Sequence, residues 1–190
     1  MRVLVDGDIV CYRCAVSVKD DEPVELVINR IDNLMTQIID DTEASEFEFY
    51  IKGEKNFRYD INPDYKANRK DTIDPRFRAD CKAFLIQEWN AQTSTGCEAD
   101  DRLGIAQTEN SIIASIDKDL LMIPGKHYNF VKQEFQEVSE HQGIQHFYYQ
   151  LIMGDRTDNI FGFDGKARHK VPKFLEPAVA FLLHCKTEEE

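Results

Sequence analysis

The chain has 190 residues and a mass of 22.0 kDa, room for one domain or one domain with a small appendage. With 42% hydrophobic and 31% charged residues it has the composition of a globular protein, not a disordered one. The formal charge of −12 argues against a nucleic-acid partner unless the carboxylates are gathered where cations can sit among them.

Arg2–Val5 reads as a short buried strand that exits through Asp6-Gly7-Asp8. No apolar h-region precedes it, and no apolar run approaches the roughly 20 residues of a membrane span. A soluble, cytoplasmic protein without a membrane partner is therefore expected. Ile9–Val18 is predicted helical. Leu26–Ile39 carries apolar residues at 27, 28, 31, 34, 35, 38 and 39, the stripe of an amphipathic helix. Phe47–Ile51 is a second strand, aromatic and β-branched. Residues 56–74 are polar and basic and are expected to be irregular. Arg76–Trp89 is a helix, Gln92–Thr95 a weak third strand and Glu98–Thr108 a helix. Ser111–Ile116 is a clear fourth strand, followed by Asp117-Lys118-Asp119. Tyr128–Val138 alternates enough for one or two strands. Gln142–Met153 is a helix ended by Gly154, and Lys173–His184 is a last helix. Strands alternating with helices predict an α/β fold around a mainly parallel sheet.

Five cysteines, Cys11, Cys14, Cys81, Cys97 and Cys185, are read as reduced thiols, since nothing in the sequence suggests secretion. Cys11 and Cys14 have half the spacing of a zinc knuckle, but no second Cys or His pair completes it, so both are assigned to the core face of the first helix. The histidines have no partner pattern. Trp89 and Phe84 are expected to pack in the core.

In open α/β sheets, ligands bind beyond the carboxyl ends of the strands. Asp6 follows the first predicted strand, Glu54 the second, Glu98, Asp100 and Asp101 the third, and Asp117 and Asp119 the fourth. Any one of these is explained as a turn residue or helix N-cap. Four strand ends delivering acids to one rim are not so easily explained. Carboxylates at that density raise each other's pKa unless cations intervene. An all-oxygen donor set suits Mg²⁺ or Mn²⁺ better than zinc. Two such ions about 4 Å apart serve in-line attack on a phosphodiester, one activating water and the other stabilising the departing oxygen.

Two further clusters stand out. Arg58 and Tyr65, Lys66, Arg69 and Lys70 form the densest basic stretch, with an aromatic inside it. Such a stretch is commonly a solvated face, but here it follows the Glu54 strand end. The segment from Gly154 through Asp155 and Asp158 to Gly162 has two acids three residues apart, which one turn can bring to the same side.

Taken in order, Val5-Asp6-Gly7-Asp8, Lys52-Gly53-Glu54-Lys55, Asn62-Pro63-Asp64-Tyr65-Lys66-Ala67-Asn68-Arg69, Glu98-Ala99-Asp100-Asp101, Asp117-Lys118-Asp119 and Met153-Gly154-Asp155-Arg156-Thr157-Asp158-Asn159 resemble the flap endonuclease / 5′→3′ exonuclease family, especially its bacteriophage members. The blocks span residues 5 to 159; each is weak alone, and their order is specific. The resemblance implies a PIN-like nuclease core over residues 1–139 and a helix–three-turn–helix-like region over 140–190, packed on the core as one unit. It implies two Mg²⁺ ions, replaceable by Mn²⁺, held by Asp6, Glu54, Glu98, Asp100, Asp101, Asp117, Asp119, Asp155 and Asp158. Lys66 matches the family's catalytic lysine and Arg69 its phosphate-contacting arginine. Tyr65 matches an aromatic that stacks near the separated strand end. Arg58, Lys70, Lys166, Arg168 and Lys170 complete the expected DNA contacts. Asp8 matches no core ligand of the family.

The implied function is Mg²⁺-dependent hydrolysis of DNA from 5′ ends or at 5′ flaps. The chain departs from the family in four places. Position 54 is Glu where many relatives have Asp. The stretch Phe163-Asp164-Gly165-Lys166-Ala167-Arg168-His169-Lys170 keeps its basic residues but not the Gly-Ile-Gly pattern that supports a K⁺ site in relatives. Any arch between Arg69 and Arg76 is small. Few residues follow the last predicted helix, as expected of a minimal or truncated member. A PIN-type endoribonuclease shares the acidic cleft but ordinarily lacks the Tyr-Lys-Ala-Asn-Arg and Gly-Asp-x-x-Asp-Asn blocks. A non-catalytic binder of branched DNA would be expected to have lost acids of the core set, and none is missing. An acidic Ca²⁺-binding domain would need EF-hand ligand spacing, which is absent.

Overall fold

The computed structural model describes residues 1–19, 21–163 and 175–185. Its centre is a six-stranded sheet built from β1 (Arg2–Asp6), β2 (Glu46–Lys52), β3 (Gln92–Ser94), β4 (Ser111–Ala114), β5 (Gly125–Asn129) and β6 (Glu134–Val138), in the order β3-β2-β1-β4-β5-β6. The first five strands are mutually parallel, and only β6 runs antiparallel, as the return arm of a hairpin with β5. The stretch read as one or two strands is thus a hairpin whose first arm begins at Gly125, three residues before the expected start.

The alternation of a pleated strand decides which helices go where. Val3 and Val5 of β1, Phe49 and Ile51 of β2, and Ile112 and Ala114 of β4 bury against α1 (Gly7–Val16), α2 (Val24–Thr42) and α4 (Arg78–Trp89). The intervening Leu4, Tyr50 and Ile113 bury on the opposite face, against Ala99 and Leu103 of α5 (Ala99–Ala106) and against Leu120. The amphipathic stripe of α2 buries Val27, Ile31, Met35 and Ile38, as its spacing requires. Cys11, Cys14 and Cys81 are buried free thiols between α1 and α4; Cys97 and Cys185 are partly buried and also free. Trp89 meets Phe47 and Phe49 edge-on at 5.9 and 5.6 Å. Burial leaves the His127 imidazole below its usual pKa, with Nε2 2.8 Å from the Ile123 carbonyl.

Three features were not expected from the sequence. The polar segment after β2 forms a short helix, α3 (Arg58–Ile61), and a 3₁₀ turn at Ala67–Arg69. Asp117-Lys118-Asp119 opens another 3₁₀ helix, Lys118–Met122. After α6 (Glu140–Met153) the chain forms a small ribbon of β7 (Gly154–Asp155) and β8 (Ile160–Phe161). The crossing is so close that a Cβ on Gly154, whose φ is +70°, would lie 2.3 Å from the Gly162 nitrogen. The last described helix, α7 (Leu175–Leu182), packs Leu175 and Val179 against Ile152 of α6. Among the described residues no helix is long and apolar enough to cross a membrane.

Candidate active site

Parallel pairing puts the carboxyl ends of β1 to β4 on one rim, and the acids there begin the elements that follow. Asp6 is the N-cap of α1: its Oδ1 accepts from the Ile9 N–H at 3.1 Å, and its Oδ2 accepts from the Ser115 hydroxyl at 2.9 Å. The Ser115 Oγ in turn accepts from the Asp117 N–H at 3.0 Å, and Asp117 caps its own 3₁₀ helix by accepting from the Asp119 N–H at 2.9 Å. Glu98 and Asp101 form the capping box of α5. Capping therefore explains the local backbone at three of the four strand ends. It leaves oxygens over, and those face one another.

Asp6 and Asp100 lie close enough to each other and to Asp117 to feel their repulsion. Burial, then the neighbouring charges of Asp8 and Asp117, push the Asp6 carboxyl up to about 7. Burial, then Asp6, Asp117 and Glu98, push Asp100 up to about 8. Asp119 is raised by burial and by Asp117 and Asp155. Among the described residues neither Asp6 nor Asp100 has an ion pair with Lys or Arg.

Beside this repelling group lies a second, compensated one. The Lys66 Nζ donates to both oxygens of Glu98, at 2.7 and 3.0 Å, and lies 3.4 Å from Asp158 Oδ2. The Tyr65 hydroxyl sits 2.9 Å from Glu98 Oε2 and 2.8 Å from Asp158 Oδ2, with one proton to share between them. The Lys52 Nζ stands 3.5 Å from Glu98 Oε1. Burial raises the Glu98 pKa, but the hydrogen bonds and charge of Lys66 and the Tyr65 hydroxyl outweigh it, so Glu98 titrates below its usual value. Arg69 donates to Asp158 Oδ1 at 2.5 Å.

The expected residues therefore separate. Asp6, Asp100, Asp117, Asp119 and Asp155 form a chain of mutually raised or neighbouring carboxylates. Glu98 and Asp158 meet Lys66, Tyr65 and Arg69. Glu54 is exposed in the bend after β2, outside both groups. Asp101 is turned to Arg58, which grips both its oxygens at 2.6 and 2.8 Å. Burial works against the Asp101 charge, but Arg58 and the Glu98 N–H hold its pKa below the ordinary value. Arg58, expected on DNA, is thus occupied within the protein. Tyr65, expected as a stacking face, is 3% exposed; its hydroxyl is fixed and its ring lies edge-on to the exposed Tyr59 at 5.5 Å. Burial does not permit a base to stack there. Lys70 is exposed. Lys166, Arg168, Lys170 and the expected K⁺ segment lie outside the described residues.

Sequence reasoning passed over Ser115, which links β4 to Asp6, and Lys52, which neighbours Glu98. Both sit at strand ends, and applying the strand-end rule to hydroxyl and amino groups as well as acids would have found them. Asp8 has a bracing position: its Oδ2 accepts from the Lys52 N–H at 2.5 Å and its Oδ1 pairs with the Lys82 ammonium at 2.7 Å, tying α1, β2 and α4 together.

Among the described residues no three Asp, Glu, His or Cys side chains already enclose one ion-sized point. The donor chemistry nevertheless fits a hard divalent cation. The uncompensated acids offer oxygen only, and among the described residues no lysine or arginine forms an ion pair with Asp6 or Asp100.

A family model described as "5′-3′ exonuclease, N-terminal resolvase-like domain" matches residues 1–149. The chain belongs to the 5′-3′ exonuclease family. Three solved structures from bacteriophage T5 are similar in fold. The D15 protein co-crystallised with metal ions is 18% identical with a TM-score of 0.64, over 95% of this chain and 73% of that one. A variant D15 flap endonuclease, in a pseudo-enzyme–product complex with DNA and metal ions, is 18% identical with a TM-score of 0.65, over 86% and 70%. A mutant of the T5 5′-exonuclease is 17% identical with a TM-score of 0.59, over 96% and 84%. As a member of the 5′-3′ exonuclease family the chain is a nuclease, built on the mainly parallel α/β sheet that these relatives share.

Proposed function

We propose that this 5′-3′ exonuclease family member hydrolyses DNA at 5′ ends and 5′ flaps, using two Mg²⁺ ions that Mn²⁺ can replace. The observation that carries the reading is the pairing, at one sheet rim, of uncompensated carboxylates (Asp6, Asp100, Asp117) with an ammonium group held on their border by Glu98 and Asp158. Asp6, Asp100, Asp117, Asp119 and Asp155 would hold the ions. Once bound, they supply activation of water and neutralisation of the leaving oxygen. Lys66 offers its N–H groups to the phosphoryl oxygens as charge develops, a preorganised donor that needs no reorganisation. Glu98 and Asp158 keep it aimed until substrate competes for it. Arg69, 43% exposed at its side chain, and Lys70 neutralise flanking phosphates.

The C-terminal region over 140–190 is proposed to grip duplex behind the cut. The chain is proposed to act in the cytoplasm, where its thiols remain reduced. The T5 relative crystallised with DNA and metal ions supports both substrate and cofactor as readings for this chain. Digestion of an end-labelled set (5′-flap DNA, blunt duplex, single strand and RNA), with Mg²⁺ and with EDTA, tests the proposal. Release of 5′ products from flap or duplex DNA in Mg²⁺ alone is the expected result. Cleavage in EDTA sinks the metal reading, and preferential cutting of RNA moves the chain to the endoribonuclease reading.

A further inference from the structure

The loop that carries Lys66 is joined to the turn after α6 at nearly every residue. The Lys66 N–H donates to the Asp158 carbonyl at 2.9 Å, and the Arg69 Nε donates to the Thr157 carbonyl at 2.8 Å. Two side-chain amides cross between the loops in opposite directions. The Asn68 Nδ2 donates to the Arg156 carbonyl at 2.7 Å, and the Asn159 Nδ2 donates to the Asp64 carbonyl at 2.8 Å. Two residues of these loops have a left-handed backbone. Lys66 has φ +55° and Asn159 φ +56°, the left-handed region that side chains other than Asn and Gly seldom enter. A lysine keeps that conformation only where its surroundings over-determine it. Here the left-handed turn points the ammonium back to Glu98 and Asp158 while the main-chain N–H faces the other loop.

We propose that Asn68 and Asn159 are positioning residues for Lys66: a crossed pair of amides that locks two loops, nearly ninety residues apart, into the one arrangement that aims the ammonium. The proposal rests on the role given to Lys66 above. Asn68 is exposed and fills no core space, so its amide is free to serve alignment rather than packing. Asparagine suits both places because it donates to a carbonyl, which aspartate cannot do. At position 159 it also tolerates the left-handed backbone.

The test is single-turnover cleavage of an end-labelled 5′-flap DNA in Mg²⁺ by Asn68→Ala, Asn159→Gly and Lys66→Ala, and by Asn68→Ala combined with Lys66→Ala. Flap binding is measured in Ca²⁺ and melting temperature is followed in parallel. Asn159→Gly can still adopt the left-handed backbone but removes the amide and loosens the chain, so the comparison in the Lys66→Ala background uses Asn68→Ala. Misalignment by about an ångström lowers a rate by about 100-fold. The expected loss is therefore about 10- to 100-fold in the cleavage step for each Asn variant, with binding changed less than about threefold. In the Lys66→Ala background the loss from Asn68→Ala should shrink to less than about twofold, because no ammonium remains to be aimed. A general structural defect would persist undiminished there, and that result overturns the proposal. So does an Asn68→Ala enzyme within about twofold of the parent rate. If Lys66→Ala is slow and Asn68→Ala is not, the amide pair alone is refuted. If Lys66→Ala cuts at the parent rate, the role of Lys66 falls and takes the amide pair with it.

Discussion

The metal-free protein should lose stability as pH rises from about 6.5 to 8, the reverse of what net acidity suggests to anyone thinking of salt-bridged carboxylates. Asp6 and Asp100 are raised from 3.8 to about 7 and about 8. Between the unfolded and folded pKa values the native state therefore holds protons that the unfolded chain has released, and stability falls with pH across that window. One extra proton gives a slope of about 1.4 kcal/mol per pH unit. The two acids share a site and titrate as a pair, so we count about one proton rather than two. The two acids thus contribute a loss of about 3 kcal/mol between pH 5 and pH 7.5; below about pH 6.5 it is partly offset by His127 and His146, whose lowered pKa values leave the native state with fewer protons than the unfolded chain. In a chain of this length the loss corresponds to roughly 5–15 °C in melting temperature. Glu98 and Asp101 are shifted downward, so what they contribute is lost only below their ordinary range, outside this window. Saturating Mg²⁺ should flatten the slope, because it binds the ionised form. Asp100→Asn should also flatten it, raising the metal-free melting point at pH 8 while reducing the gain from Mg²⁺. Thermal melts in EDTA across the pH series check this. A metal-free melting point that is level or rises from about pH 6.5 to pH 8 would falsify the assignment of uncompensated charge to Asp6 and Asp100.

The other expectations concern single groups. Lys66→Ala should lower turnover by roughly two to four powers of ten while the fold survives, one preorganised charge being worth about that much; single-turnover rates near the parent value would refute it. Asp101→Asn should lower the melting temperature, not raise it, since it breaks a two-pronged pair with the half-buried Arg58; about 1–3 kcal/mol is at stake, readable by urea denaturation. Gly154→Ala should destabilise by more than 1 kcal/mol or so, through its positive φ and the crowding against Gly162, and the same denaturation series reads it. Activity should be restored to EDTA-treated protein by Mg²⁺ or Mn²⁺ but not by Ca²⁺, whose longer and looser coordination does not suit paired ions; restoration by Ca²⁺ refutes the proposed pair.

The sheet was legible because its central strands are short apolar or β-branched runs, as strands covered on both faces must be. Val3, Leu4 and Val5 send alternate side chains to two helical layers, and both layers need apolar partners. The polar stretch after β2 was not legible. Its two helical turns bury almost nothing along their own length, and they are held by long-range bonds to Asp101 and to the 155–159 turn. No local pattern announces such bonds. The same cause hid the β7–β8 ribbon, whose strands are two residues each and whose only sequence mark is the pair of glycines at its crossing.

The acids show why a candidate site can be found from sequence and still be wrongly apportioned. Strand-end position drew attention to Asp6, Glu98, Asp100, Asp101, Asp117 and Asp119, and to Glu54 with them, but it treats every carboxylate there as equivalent. What separates them is which second element arrives. Asp101 and Asp100 are neighbours on one helix turn, yet Arg58 reaches only the first, so one is held below its ordinary pKa and the other pushed to about 8. Glu98 and Asp6 both begin helices at the same rim, yet the loop of residues 64–69 brings Lys66 to Glu98 and not to Asp6. The division of labour between the two groups is therefore set by a segment whose conformation the sequence pattern left open. A polar, basic loop without periodicity supplies the cations that turn Glu98 and Asp158 into anchors for Lys66, and by withholding them it leaves Asp6, Asp100 and Asp117 in need of a cation from outside.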